Sequence, residues 1–167
     1  MRHELLNQFD AVTSELIQLL ESLGPEALNQ VPFEGSWTPG QIGEHLLKSY
    51  GVADTLRGTV QPTQRPYDQK AAEIRGVFLD FSTKMQSPPF LIPSEVPHDP
   101  EKLLVDLRQK LAAIRAVAET EDLTLTCLDF ELPGTGTLTR WEWIDFVTVH
   151  TQRHVHQLKE ALKQLFS

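Results

Sequence analysis

A single cysteine, Cys127, occurs in the 167 residues. No disulfide can therefore form within the chain, no cysteine-based zinc motif is possible, and any metal chemistry has to rest on histidine and carboxylates. No uninterrupted apolar run is long enough to span a bilayer. Met1-Arg2-His3-Glu4 leads into a mixed polar and apolar pattern, without the apolar core and small-residue cleavage site of a signal peptide. Together these features give the expectation of a cytoplasmic protein with no membrane partner. Positive charge is also scarce: 15 Lys and Arg stand against 23 Asp and Glu, for a net charge of −8. With no long basic block to offset it, that balance argues against a nucleic-acid backbone as partner. Internal repeats and low-complexity tracts are missing too. What remains is ordinary for a globular protein, with 40% hydrophobic and 23% charged residues. The length suits one domain over residues 1–167 that buries a core without staples.

Along the chain, Leu5, Leu6, Phe9, Val12, Leu16, Leu19, Leu20 and Leu23 recur mostly at intervals of three and four, which predicts an amphipathic helix over 5–23, closed by Gly24-Pro25. Asn29 to Trp37 reads as a loop. Thr38-Pro39-Gly40-Gln41 then carries a cap, a first-turn proline and a capping box, and predicts a helix over 39–57. Asp68 to Met85 reads as one irregular helix weakened by Gly76. Ser87 to Pro100 holds five prolines and must be extended or turned, either as a crossover connection or as a lid. Asp99-Pro100 restarts a helix over 100–119, with Leu104, Leu107, Leu111, Ile114 and Val117 in its stripe. Leu123 to Leu132 has an extended pattern ahead of the turn Pro133-Gly134-Thr135-Gly136, and periodicity leaves hairpin and loop equally open. Thr139 and Glu142 form a second capping box that opens a helix over 139–165. The expected fold is all-α: a four-helix bundle with long crossover connections.

Of six histidines, three crowd into His150-Thr151-Gln152-Arg153-His154-Val155-His156. At about 100° per residue, His150 and His154 lie one above the other within the apolar stripe of the last helix, and His156 turns to the opposite side. One metal ion held with an open position needs at least three protein ligands. His3 sits at a terminus and His98 in the proline-rich stretch, whereas His45 falls inside the apolar stripe of the second helix, roughly 60° from Ile42. His45, His150 and His154 are therefore the candidate metal ligands. The plainer reading is three core histidines, which is expensive: burying polar rings without partners costs about 1–3 kcal/mol each.

Two segments carry a resemblance. Trp37-Thr38-Pro39-Gly40-Gln41-Ile42-Gly43-Glu44-His45-Leu46 resembles the W-[ST]-P-x-[EQ]-x-x-x-H-L segment of the DinB-like superfamily, and His150 to Leu158 resembles its H-x-x-x-H-x-x-Q-L segment. Helix order and spacing extend the similarity over nearly the full length. The resemblance implies a four-helix bundle, often a homodimer, with zinc or nickel held by the residues matching His45, His150 and His154. Relatives include transferases and isomerases that use a low-molecular-weight thiol, bacillithiol or mycothiol, and others described as metal-dependent hydrolases. The implied activity is thus metal-assisted activation of a thiol cofactor or of water against a small-molecule substrate. The alternative is a non-catalytic bundle in which the metal only clamps helices, acting as a binding or stress-response protein.

The remaining polar residues read more plainly. There is no H-E-x-x-H motif, and Glu44 points about 100° away from His45, so it reads as a surface charge. Gln157 lies at the edge of the histidine stripe, where it could orient a ligand or face solvent. Arg153 reads as solvated, Trp37, Trp141 and Trp143 as packing at helix starts, and Cys127 as a structural thiol. No catalytic residue is assigned.

Overall fold

A computed structural model describes residues 1–167. Four principal helical stretches share one core. They are α1 (Arg2–Glu21), α3 (Pro39–Ser49) with its continuation α4 (Val52–Leu56), α6 (Pro100–Thr120) and α7 (Arg140–Leu165). Two shorter helices, α2 (Pro25–Leu28) and α5 (Ala71–Phe78), lie in the connections. No helix is long and apolar enough to cross a membrane. α1 packs along α7 and α6, and α3 sits against both α6 and α7. Leu5, Phe9, Leu16 and Leu20 of α1 meet Ile42 and Leu46 of α3, Leu107 and Ile114 of α6, and Ile144 and Leu158 of α7 in that core. In the first turn of α6 it is Leu103 that is buried, and Leu104 stays partly exposed.

The helix starts obey the capping rules. Thr38 Oγ1 accepts from the Gln41 amide at 3.0 Å and Gln41 Oε1 accepts from the Thr38 amide at 2.9 Å. The same reciprocal pair joins Thr139 and Glu142, at 3.0 Å each way. Asp99 caps α6 through the Lys102 amide at 3.1 Å, with Pro100 in the first turn.

Two expectations need correction, and one open reading is decided. The helix expected over 39–57 is two: around Tyr50 and Gly51 the amides of Gly51, Ala53 and Asp54 bond three residues back instead of four, each at 3.1 Å. Glycine is a weak helix former, and the neighbouring Tyr50 is locked into the core by a 2.7 Å hydrogen bond with the Thr151 hydroxyl. The irregular helix expected over 68–85 shrinks to α5, because Asp80 instead bonds the amide and hydroxyl of Ser82 and the Thr83 hydroxyl. The extended piece after Leu123 takes the hairpin of its two open readings, since Thr126 bridges Thr139 antiparallel, with the Cys127 amide on the Leu138 carbonyl and the Arg140 amide on the Leu125 carbonyl at 2.9 Å each. Its strand β2 (Thr126–Cys127) pairs antiparallel with β1 (Val60–Gln61), in a stretch that reads as loop. Leu132 and Gly136 do close the expected turn, which needs the positive φ of Gly134 and Gly136.

Two buried carboxylates, each matched by a part-exposed arginine, hold the last helix in register. Glu142, fully buried, accepts a fork from Arg65 at 2.7 and 2.8 Å and the Lys70 amide at 2.7 Å, so the loop before α5 is tied to the start of α7. One turn on, Asp145 receives Arg75 Nε at 2.9 Å, which fastens α5 to α7. Removing the arginine of such a pair costs about 3–5 kcal/mol, since the buried carboxylate is left unmatched.

Candidate metal centre

His45 lies in the middle of α3 and His150 and His154 one turn apart on α7, all three pointing inward at 2%, 5% and 9% exposure. The structure brings together the three histidines that the helical periodicity selects. Their Nε2 atoms converge: His150 Nε2 stands 3.2 Å from His45 Nε2 and 3.2 Å from His154 Nε2. No carboxylate or thiol joins the cluster. His98, by contrast, is tied to Glu44 at 2.7 Å, His3 lies exposed on α1 beside Asn7, and His156 is exposed with its ring stacked on Phe81.

The outer nitrogens decide which way the rings are protonated. His45 Nδ1–H donates to the Leu91 carbonyl at 2.9 Å, and His154 Nδ1–H donates to Gln157 Oε1 at 2.7 Å. In each ring the proton sits on Nδ1, so Nε2 presents a lone pair to the cluster. A single proton on His150 Nε2 can serve one of these lone pairs well, not both. A cation at the meeting point satisfies all three nitrogens at once. The spacing agrees, because imidazole nitrogens on one tetrahedral ion stand about 3.3 Å apart when each metal–nitrogen distance is about 2.05 Å. Neutral imidazoles suit zinc and nickel alike. His150 differs from the others in that its Nδ1 is buried without a partner. Its ring is held by stacking on Phe146, with centroids 5.2 Å apart and planes 13° from parallel.

Burial sets the charge state. Loss of hydration lowers the pKa of His45, and it pushes His154 down to about 3, with the neighbouring His45 and Arg153 adding to the effect. His150, the most enclosed, falls well below its ordinary value for the same reason and because its two neighbours would repel a second charge. All three rings are thus neutral at physiological pH.

The proline-rich segment crosses α3 directly over His45. A 3-10 turn at Pro89–Leu91 presents the carbonyl that holds His45, and three further α3 side chains grip the segment. Lys48 donates to the Ile92 carbonyl at 2.7 Å, Glu44 accepts from the Ser94 amide and hydroxyl at 2.7 Å each, and Gln41 donates to the Ser94 carbonyl at 3.1 Å. Glu44 is therefore a tether and not the free surface charge expected. Partial burial opposes its ionisation, yet the bonds from Ser94, His98 and Lys48 outweigh that and hold its carboxyl down at about 2. Arg153 is likewise not solvated, since it donates to the Phe78, Asp80 and Thr83 carbonyls and ties the stretch after α5 to α7. Gln157 turns its amide inward to His154 and not out to solvent. Cys127 is fully buried, and burial raises its thiol to about 11.

The histidines lie at the wall of a cavity of about 570 Å³, within the size range of small-molecule sites. Much of its wall comes from residues no periodicity marks: Phe90 and Leu91 in the crossover, Phe130 and Leu132 before the Pro133 turn. Their only signal in the sequence is a cluster of apolar side chains in stretches too irregular to bury them in a helix. Trp37, next to the α3 cap, packs its ring 5.1 Å from that of His45.

A bundle with a buried histidine triad facing a cavity defines a class, and the DinB superfamily profile matches residues 8–158, so the chain belongs to that superfamily. Among its relatives is the uncharacterized protein YuaE of Bacillus subtilis, 27% identical over 165 residues, which span 94% of this chain and 96% of that protein. Among solved structures the chain resembles YfiT from Bacillus subtilis, described as a probable metal-dependent hydrolase with an unusual four-helix bundle topology. The TM-score is 0.61 at 19% identity, over 98% of this chain and 87% of that one. That likeness establishes the four-helix bundle topology.

Proposed function

We propose that the chain is a divalent-metal-dependent enzyme that hydrolyses a small molecule, with His45, His150 and His154 holding zinc or nickel. The observation that carries this reading is the convergence of three neutral imidazole nitrogens at a cavity wall, with no fourth protein ligand in the group. Three protein ligands with space beside them is the arrangement of catalytic sites, whereas structural zinc sites are closed by four. When bound, a divalent ion there supplies Lewis acidity toward a nucleophile and toward a substrate carbonyl or related group.

The protein's own part is to orient. The Leu91 carbonyl and Gln157 fix two rings in the tautomer that directs Nε2 inward, and Phe146 holds the third by stacking. Membership in the superfamily and the YfiT description support hydrolysis, and the same donor set would also serve a low-molecular-weight thiol as nucleophile.

Metal analysis of purified protein beside His150→Ala tests the site: stoichiometric zinc or nickel is expected in the parent and little in the variant. Equal, near-zero content in both would remove the site. Cobalt-substituted protein then separates an open centre from a helix clamp. Azide should change the visible spectrum of an open centre, and an unchanged spectrum at saturating azide favours the clamp.

A further inference from the structure

We infer that the substrate is a largely apolar, uncharged small molecule carrying an aryl or similarly bulky hydrocarbon group, which lies in an aromatic chamber beside the histidines. This rests on the small-molecule reading of the cavity given above. A chain of rings builds the chamber: Phe90 meets Phe130 edge-on at 5.9 Å, Phe130 stacks on Trp143 at 5.9 Å, and Trp143 meets Phe146 edge-on at 5.7 Å. Phe146 in turn stacks on His150, so the aromatic wall is continuous with the metal-ligand candidates. Phe90 and Phe130 remain 56% and 39% exposed, though they line the cavity together. An apolar group resting against the exposed faces of these two rings would remove from water surface that folding alone leaves wet.

Charge points the same way. Apart from the histidines, the cavity wall has two cations, Lys48 and Arg153. Lys48 is engaged by the Ile92 carbonyl at 2.7 Å and Glu44 at 3.2 Å, and Arg153 by the three carbonyls after α5. Lys48 thus has its charge matched by Glu44, and Arg153 directs its guanidinium at backbone carbonyls of residues 78–83. Asp129, on the same wall, adds negative charge and is held only by the Thr59 amide at 3.0 Å. The metal centre is then the one place where negative charge would be matched, and a further anionic group carried into the aromatic part of the chamber would lie near Asp129 with no cation left over for it, which makes its desolvation costly.

Hydroxamates, which bind through the metal, and metal-free ligands together test the inference by calorimetry. On zinc-loaded protein, 4-phenylbutyrohydroxamic acid is expected to bind about 30-fold more tightly than butyrohydroxamic acid, which has the same three-carbon chain, the gain of burying one phenyl group. Glutaric monohydroxamic acid, with a carboxylate in place of the phenyl, should gain nothing. Phe130→Ala and Phe90→Ala, both at partly exposed positions, should erase most of the phenyl advantage, read in each variant as the ratio of phenyl-probe to butyrohydroxamate affinity. A carboxylate probe that equals or exceeds the phenyl probe overturns the inference, as does a phenyl advantage that survives both variants. On metal-free protein, 4-phenyl-1-butanol should still bind more tightly than 4-hydroxybutyrate, and the reverse order also overturns it. If butyrohydroxamate fails on zinc-loaded protein while the phenyl preference holds in the metal-free one, the open metal centre is lost and the chamber assignment stands.

Discussion

His154 and His156 differ by two positions on α7 and by nearly everything else. His154 is buried with Nδ1–H on Gln157, and His156 is exposed against Phe81. Helical geometry made this split legible from sequence, because 3.6 residues per turn separates the two faces. The contact between Gln157 and His154 was legible only as one of two options, since spacing brings the residues near each other but does not decide whether the amide turns inward. Gln157→Ala is expected to weaken zinc binding about tenfold, the lower end of what loss of a ligand's hydrogen-bond partner does. The variant also leaves the buried His154 Nδ1–H without its acceptor, so stability of the metal-free protein should fall by about 1 kcal/mol. Gln157→Glu keeps the acceptor and should restore affinity, and His156→Ala should change nothing. Competition titrations against a chromogenic chelator would read all three, and equal affinities for parent and Gln157→Ala would show that the hydrogen bond does not tune the centre.

Among the elements, the helices with capping boxes begin where their sequences say they do, since Thr38, Asp99 and Thr139 act on amides within three residues. What the sequence could not reveal is pairing between distant segments, such as β1 with β2, or the grip of α3 on the crossover. Gln41, Glu44, His45 and Lys48 all bond the crossover, and their spacing of three, one and three puts them on one face of α3. In sequence that face looks like a polar edge, because its partners are mostly backbone groups about fifty residues away. Glu44→Ala should therefore loosen residues 91–98 while leaving the bundle intact. Loss of the bonds to the ionised carboxylate is expected to cost about 2 kcal/mol, and the Ser94 amide should exchange with deuterium much faster. Because the crossover also carries the Leu91 carbonyl that orients His45, zinc affinity should drop severalfold in the same variant. Unaltered exchange at Ser94 would show that Glu44 is dispensable to the tether.

At the scale of the whole molecule, the centre joins α3 to α7 across about a hundred residues of chain, so an ion bound there stabilises the bundle as a unit. With free zinc at a hundredfold its dissociation constant, the gain is about 2.7 kcal/mol, read as a rise in Tm that His45→Ala should abolish. The metal-free protein carries the complementary liability. Its three rings are held neutral by burial, with His154 down at about 3 and His150 well below its ordinary value, whereas the same rings in the unfolded chain protonate near 6.5. Below that pH the unfolded state takes up protons the folded state refuses. Stability is therefore full above about pH 6.5 and is lost as the pH falls, by about 1.4 kcal/mol per pH unit for each ring that stays neutral in the fold. Urea unfolding of chelator-treated protein between pH 7.5 and 4.5 should show this slope, and His154→Leu should flatten it by one ring's share. Zinc at pH 7.5 adds its increment on top, and because protons compete for the same nitrogens that increment should vanish in the same acid range. A metal-free protein equally stable at pH 7 and pH 5 would mean that the rings accept protons freely in the fold, contrary to their burial.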